Sequence, residues 1–297
     1  TLFQNPQRCF VSINVCRHDV AKNDAIAVQG DAARSLGELD ALLGEPRARA
    51  DLAKRIRTLR ASWSDAVDAA TKDVGAALPS DAQVLGAVNR TMGPKGTVVC
   101  AAGGLPGELH KLWRAQDANA YHLEYGYSCM GYEIAGGLGV KLALRERDVV
   151  VMVGDGSYLM MNSEIATSVA MGLKLTIVLL DNRGFGCINR LQGATGGESF
   201  NNLLDDRAPD IDFAAHARAL GAHAQKVGNI RELEDALRTS RTIDRTVVLV
   251  IDTDPQQSTG AGGAWWDVAV PEVSSRANVT AAYEAYSATL AETKKHL

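Results

Sequence analysis

Asp155 stands between Gly154 and Gly156 with Ser157 next in line, and a later apolar run ends in Asp181 and Asn182, ahead of Gly184, Phe185 and Gly186. An aspartate offers a hard anionic oxygen and an asparagine a neutral one, while glycines on either side let backbone groups approach a ligand closely. Gly156 and Ser157 leave N–H groups and a hydroxyl free to point at an anion. One carboxylate, one amide oxygen and one carbonyl do not cage a divalent ion alone. Joined by two phosphate oxygens and a water they complete an octahedron, which is magnesium chemistry with a diphosphate. Taken singly, Gly-Asp-Gly is a common turn and Asp-Asn a common strand end; the pairing carries the reading.

For the two motifs to share a site, the chain between them must return to its starting point. Residues 149–153 read as a buried strand, 162–171 as a helix capped by Asn162 with Glu164 in its first turn, and 176–180 as a second strand. A helix of about ten residues covers roughly 15 Å and a strand of about five roughly 17 Å, so Asp155 and Asn182 are expected side by side at the carboxyl ends of neighbouring parallel strands. That is where open α/β sheets bind ligands. Further apolar runs at 97–101 and 246–251 predict two more strands, with helices at 131–144, 213–220 and 230–240. The expected fold is α/β, a doubly wound parallel sheet with helices on both faces.

Ahead of it the pattern changes. Residues 10–15 read as a short strand, followed by a helix that Asp31 caps, that carries Leu36, Leu39, Leu42 and Leu43 at helical spacing, and that Gly44 ends. Residues 45–77 are rich in Arg, Lys, Ala and Asp and read as an exposed linking helix; a new helix starts at Asp81 after Pro79 and Ser80. The chain opens without methionine, close to a strand-like pattern, and so looks like the middle of something longer.

Composition narrows the function classes. With 297 residues, 46% apolar, the chain can bury a large core. Its 31 Lys and Arg against 35 Asp and Glu leave a net charge of -4 with no basic stripe or tail, which argues against a nucleic-acid binder and a polybasic membrane patch. No run approaches the ~18 apolar residues of a membrane helix, and no signal pattern is present. Cys9, Cys16, Cys100, Cys129 and Cys187 form no C-x-x-C pair, which suits a reducing cytoplasm better than disulfides or zinc.

The stretch "GDGSYLMMNSEIATSVAMGLKLTIVLLDN" resembles the thiamine-diphosphate motif of the enzymes related to acetolactate synthase and pyruvate decarboxylase. The resemblance implies magnesium held by Asp155, Asn182 and the backbone carbonyl of Gly184, and a cofactor-binding set of Gly154, Asp155, Gly156, Ser157, Asn182, Gly184, Phe185 and Gly186, with Gly156 and Ser157 on the diphosphate. It places Met130 of "YSCMGYEIAGGLGVKLA" beneath the bent cofactor, the backbones of Ser128 and Met130 against its aminopyrimidine, and Leu109 and His110 of "AAGGLPGELHKLW" on the first diphosphate-side loop. A narrower resemblance lies in "NVCRHDVAKNDAIAVQGDA", "NRGFGCINRLQ", "GGAWWDVAVPEVS" and "VTAAYEAY", which are similar to the trihydroxycyclohexanedione hydrolases of bacterial inositol catabolism. It implies three zones: 1–45 as the end of a middle domain, 46–79 as a linking helix, and 80–297 as the diphosphate and magnesium domain with a tail. The pyrimidine domain and its activating glutamate, supplied across a subunit interface in this family, have no counterpart here. A homodimer or homotetramer is implied for the full-length enzyme, and the fragment alone is expected to be inactive.

Several other residues are candidates around that site. His110 is the best placed for proton transfer, since histidine titrates near neutrality; a surface or core histidine is the alternative. Glu133 reads either as a substrate-side acid or as an acid favoured at a helix N-terminus. Asn189 and Gln192 read as partners for substrate hydroxyls or as turn caps, and Cys187 as packing rather than a nucleophile. Trp265 and Trp266, after "STGAGG", read as a lid or as the anchor of the C-terminal segment. The implied substrate is a cyclic dione. The competing readings are an acetolactate-synthase-like or malonic-semialdehyde-type oxo-acid decarboxylase, a non-catalytic scaffold, and a dinucleotide-binding dehydrogenase resting on poor G-x-G-x-x-G copies.

Overall fold

Runs of β-branched and aliphatic residues form the middle of the sheet because burial on both faces leaves no polar alternation to follow. The computed structural model describes residues 7–44, 50–205, 208–262 and 268–294. In chain order the elements are β1 (Val11–Asn14), α1 (Arg17–Val20), β2 (Ile26–Gln29), α2 (Ala32–Leu43), α3 (Ala50–Thr71), α4 (Asp81–Thr91), β3 (Gly96–Cys100), α5 (Leu105–Leu112), β4 (Tyr121–Leu123), α6 (Tyr132–Ala143), β5 (Asp148–Gly154), α7 (Asp155–Met160), α8 (Glu164–Ala170), β6 (Thr176–Asp181), α9 (Gly186–Ala194), α10 (Phe213–Ala219), β7 (His223–Val227), α11 (Ile230–Ser240), β8 (Val247–Asp252) and α12 (Ala277–Lys294).

The chain divides into two compact units, one of residues 64–263 and one of residues 1–63 with 264–297. The larger holds a six-stranded, all-parallel sheet in the order β4-β3-β5-β6-β8-β7. β3 connects to β4 on one side while β5 lies on its other side, so the order reverses between β3 and β5. The expected doubly wound fold is therefore present. Its core joins Val99, Val151, Ile177, Leu179 and Val248 of the sheet to Ile134, Tyr158, Ile165 and Phe213 of the helices, all buried.

Side-chain caps start several of the helices. Ser80 and Gln83 form a reciprocal capping box that starts α4, and Asn229 accepts the Glu232 N–H to start α11. Asn162 departs from expectation: its amide donates to the Tyr158 carbonyl, so it closes α7, and α8 starts at Glu164 without a side-chain cap. Strands β4 and β7 were not expected. They are the edges of the sheet, one short and half-buried and the other polar as His-Ala-Gln-Lys-Val, and neither shows an apolar run. Helices α5, α7 and α9 were not expected; each is short, at six to nine residues.

In the smaller unit β1 pairs in parallel with β2, a second strand absent from the sequence reading. Asp31 caps α2 by accepting the Arg34 N–H at 2.9 Å, and Gly44 follows its end. Leu36, Leu39, Leu42 and Leu43 are exposed. Among the described residues, no helix is long and apolar enough to cross a membrane.

Candidate functional site

Strands β5 and β6 pair with Gly154 opposite Leu180, which sets Asp155 and Asn182 at adjacent strand ends. Asp155 is the first residue of α7 and is 4% exposed. Its Oδ2 accepts the Gly184 N–H at 2.7 Å. Its Oδ1, and the Oδ1 of Asn182, are buried without a hydrogen-bond partner. A buried acceptor left unpaired costs about 1–3 kcal/mol, so two of them side by side mark a place for something electropositive. Both are hard oxygens, which suits magnesium.

Burial pushes the Asp155 carboxyl up to about 6, and neighbouring Asp181 adds to the rise; the backbone N–H groups of Gly184, Gly156 and Asn182 oppose it. A bound cation would reverse this balance by favouring the charged form. Both residues line a cavity of about 450 Å³, together with Gly156, Gly184, Phe185 and Lys226.

The loop after β6 is held by its neighbour strand segment. Gly184 bridges to Leu203, Phe185 donates its N–H to Asn202, and Leu204 donates to Arg183. Gly184 has φ of 137°, and a Cβ there would lie 2.4 Å from the Asn202 carbonyl oxygen, so only glycine fits. At Gly156 a Cβ would come within 2.7 Å of the Phe185 ring, which would have to move aside. The contact recorded for Gly184 is through its N–H, whereas the resemblance assigned its carbonyl to a metal.

The segment before α6 is also shaped in advance. Glu124 accepts the N–H groups of Cys129 (2.8 Å) and Tyr127 (3.0 Å), which lower its carboxyl pKa, and Ser128 between them sits at φ of 53°. Met130 at the end of this loop is 38% exposed. Glu124 escaped the sequence reading; the signal was an acid placed just ahead of a Gly- and Ser-containing turn whose N–H groups need an acceptor.

Other candidates sit differently from their sequence readings. Leu109 is fully buried on the inner side of α5 and belongs to the core rather than to a cofactor-contacting loop. His110 is exposed on the last turn of α5, near the Tyr121 hydroxyl (3.4 Å) and edge-on to Tyr125. Glu133 has no exposed surface, and both its oxygens are taken by protein donors, so it does not face a substrate. The Ser157 hydroxyl donates to Glu133 and accepts from the Gly131 N–H, which removes it from the set of free anion-binding groups. Gln192 bonds the Glu198 carbonyl and the Asn202 amide, and so serves the loop after α9. Asn189 keeps a buried, unpaired Oδ1. Burial pushes the Cys187 thiol up, which disfavours a reactive thiolate. Trp265 and Trp266 lie outside the described residues.

One positioning cluster was missed altogether. Glu108 on α5 accepts the Thr259 N–H and hydroxyl, Lys111 donates to the Thr259 carbonyl, and Arg190 of α9 donates to the Pro255 carbonyl. These bonds fix the segment after β8, whose Thr253 and Pro255 border the cavity. The Glu-x-x-Lys spacing in α5 was the visible trace.

The family model described as thiamine pyrophosphate enzyme, C-terminal TPP binding domain, matches residues 101–252. Proteins named 3D-(3,5/4)-trihydroxycyclohexane-1,2-dione hydrolase are similar over the whole chain: 34% identical in Shouchella clausii and 36% in Bacillus licheniformis, each with 100% of this chain and 50% of the relative covered. The chain thus spans about half the length of these curated relatives. Among solved structures, the thiamine diphosphate-dependent 4-hydroxybenzoylformate decarboxylase of Rhodococcus jostii RHA1 matches with a TM-score of 0.57 at 17% identity, covering 62% of this chain and 34% of that one. Benzoylformate decarboxylase from Polynucleobacter necessarius gives 0.56 at 20%, covering 63% and 35%. At these identities the structures speak for the fold alone.

Proposed function

Because the chain belongs to the thiamine pyrophosphate enzymes and carries their C-terminal TPP-binding domain, we propose that it holds the diphosphate and a magnesium ion for carbon–carbon bond cleavage next to a carbonyl. The observation that carries this reading is the pair of unbonded, buried Oδ1 atoms of Asp155 and Asn182 at adjacent strand ends. In it, Asp155 and Asn182 hold the cation, with the Gly184 carbonyl as third donor, and the N–H groups of Gly156 and Ser157 bind the diphosphate. The Ser128 and Met130 segment, shaped by Glu124, supports the aminopyrimidine. When bound, the cofactor supplies an electron sink for breaking a bond beside a carbonyl. The protein's part is to fix the diphosphate and so the direction in which the reactive carbon points.

The substrate proposed is trihydroxycyclohexane-1,2-dione, opened hydrolytically, after the name shared by relatives that match the full chain. Residues 1–45 are assigned to the end of a middle domain, 46–79 to a linking helix, and 80–297 to the diphosphate domain. The same reading expects a cytoplasmic enzyme and, for the full-length protein, a homodimer or homotetramer. In this reading the activating glutamate lies on a pyrimidine domain outside these 297 residues. The 297 residues alone are therefore proposed to bind cofactor weakly and not to turn over.

Calorimetric titration of thiamine diphosphate with and without magnesium tests the reading. Magnesium-dependent heat, absent in Asp155→Ala, is expected. Binding that ignores magnesium, or NADH binding in its place, overturns it.

A further inference from the structure

We propose that Glu133 is a positioning residue that holds three backbone segments around the candidate site in mutual register; as applied to cofactor binding, this rests on the thiamine-diphosphate reading above. Glu133 lies in the first turn of α6, where the helix terminus favours an anion, and is 0% exposed. Its Oε1 accepts the Ala102 N–H at 3.1 Å, two residues beyond the end of β3. Its Oε2 accepts the Gly131 N–H at 3.1 Å and the Ser157 hydroxyl at 2.7 Å, the latter in α7 just beyond β5. The Gly131 N–H also reaches Ser157 Oγ at 2.8 Å, which closes a triangle of Gly131, Glu133 and Ser157.

The location gives this network its meaning. β3 and β5 are the neighbours between which the strand order reverses, and the crevice beyond their carboxyl ends is the ligand position of such sheets. One carboxylate therefore ties the chain leaving β3, the chain leaving β5 and the end of the loop that carries Ser128 and Met130. All three donors are neutral, and a carboxylate offers acceptors only. Glutamine has the same shape but presents an NH₂ where a donor already stands. Buried and fully bonded, Glu133 acts on the site through Ser157 and Gly131.

The test is Glu133→Gln in the 297-residue chain, read by amide hydrogen exchange and, separately, by calorimetry with magnesium and thiamine diphosphate. Faster exchange is expected together at 101–104, 129–132 and 155–160, with β6 and β8 still protected. Magnesium-dependent cofactor affinity is expected to fall roughly 10–100-fold, the usual range for residues that orient ligand-holding groups. Ser157→Ala, a milder change, should loosen the Ala102 and Gly131 segments, and the double variant should add little to Glu133→Gln because both break one network. Unchanged exchange at these segments, or a change at one of them alone, overturns the proposal, and so does additivity of the two substitutions. If Glu133→Gln does not fold, Ser157→Ala decides by the same exchange criterion. A wild-type chain that binds no cofactor removes the site reading and leaves the exchange result to decide the coupling.

Discussion

Asp155 and Asn182 each bury an Oδ1 without a hydrogen-bond partner, although they follow different strands. Two unsatisfied acceptors at paired strand ends are costly unless a donor or a cation completes them. In the proposed reading, the bound cation satisfies both acceptors.

Asp155→Asn keeps the shape and removes the charge. Calorimetry is expected to show magnesium-dependent cofactor binding weakened by about 100-fold. Without ligand, the variant should melt no lower than wild type at pH 7.5, since burial already disfavours the Asp155 anion there. A large fall in its melting temperature would contradict the account.

Gly184→Ala forces a Cβ to within 2.4 Å of the Asn202 carbonyl oxygen at φ of 137°. The loop must shift, with a loss of about 1–3 kcal/mol in chemical denaturation. Cofactor binding should fall with it, because the Gly184 N–H no longer fixes Asp155.

Asp81 supplies a pH prediction. Burial raises its carboxyl to about 6, with Glu108 and Asp254 adding to the rise and Arg190 opposing it. The folded chain then holds this proton more tightly than the unfolded chain. Its contribution to stability is full below about pH 4 and is lost as pH rises through about 6. Relative to Asp81→Asn, wild type should lose up to about 3 kcal/mol over that window. Melting curves of both proteins from pH 4 to 7 check the sign.

Leu109 and His110 separate core from surface on one helix. Leu109→Ala should cost about 2–5 kcal/mol, as a fully buried leucine does. His110→Ala should change stability by less than about 0.5 kcal/mol. Urea denaturation distinguishes them, and equal effects would place α5 wrongly.

Much of the fold was legible from residue type alone. β5, β6 and β8 are near-continuous apolar runs, and α11 spans the residues 230–240 expected of it. The edge strands β4 and β7 were hidden because half-buried, polar residues carry no such run. The partnership of Asp155 with Asn182 was legible too, since strand and helix lengths fix where a crossover returns. The directions of Ser157 and Glu133 were not, because a hydroxyl or carboxylate in a first turn can face solvent, ligand or a neighbouring segment.

By itself the sequence determined which residues could ligate a cation and a diphosphate, and that one parallel crossover would bring them together. Hydrophobic period and chain length are local properties that suffice for that. Only the tertiary structure decided that Leu109 is core, that Gln192 serves its own loop, and that Glu133 joins the segments leaving β3 and β5. Those outcomes depend on which distant donors arrive within hydrogen-bond reach, and packing alone sets that distance.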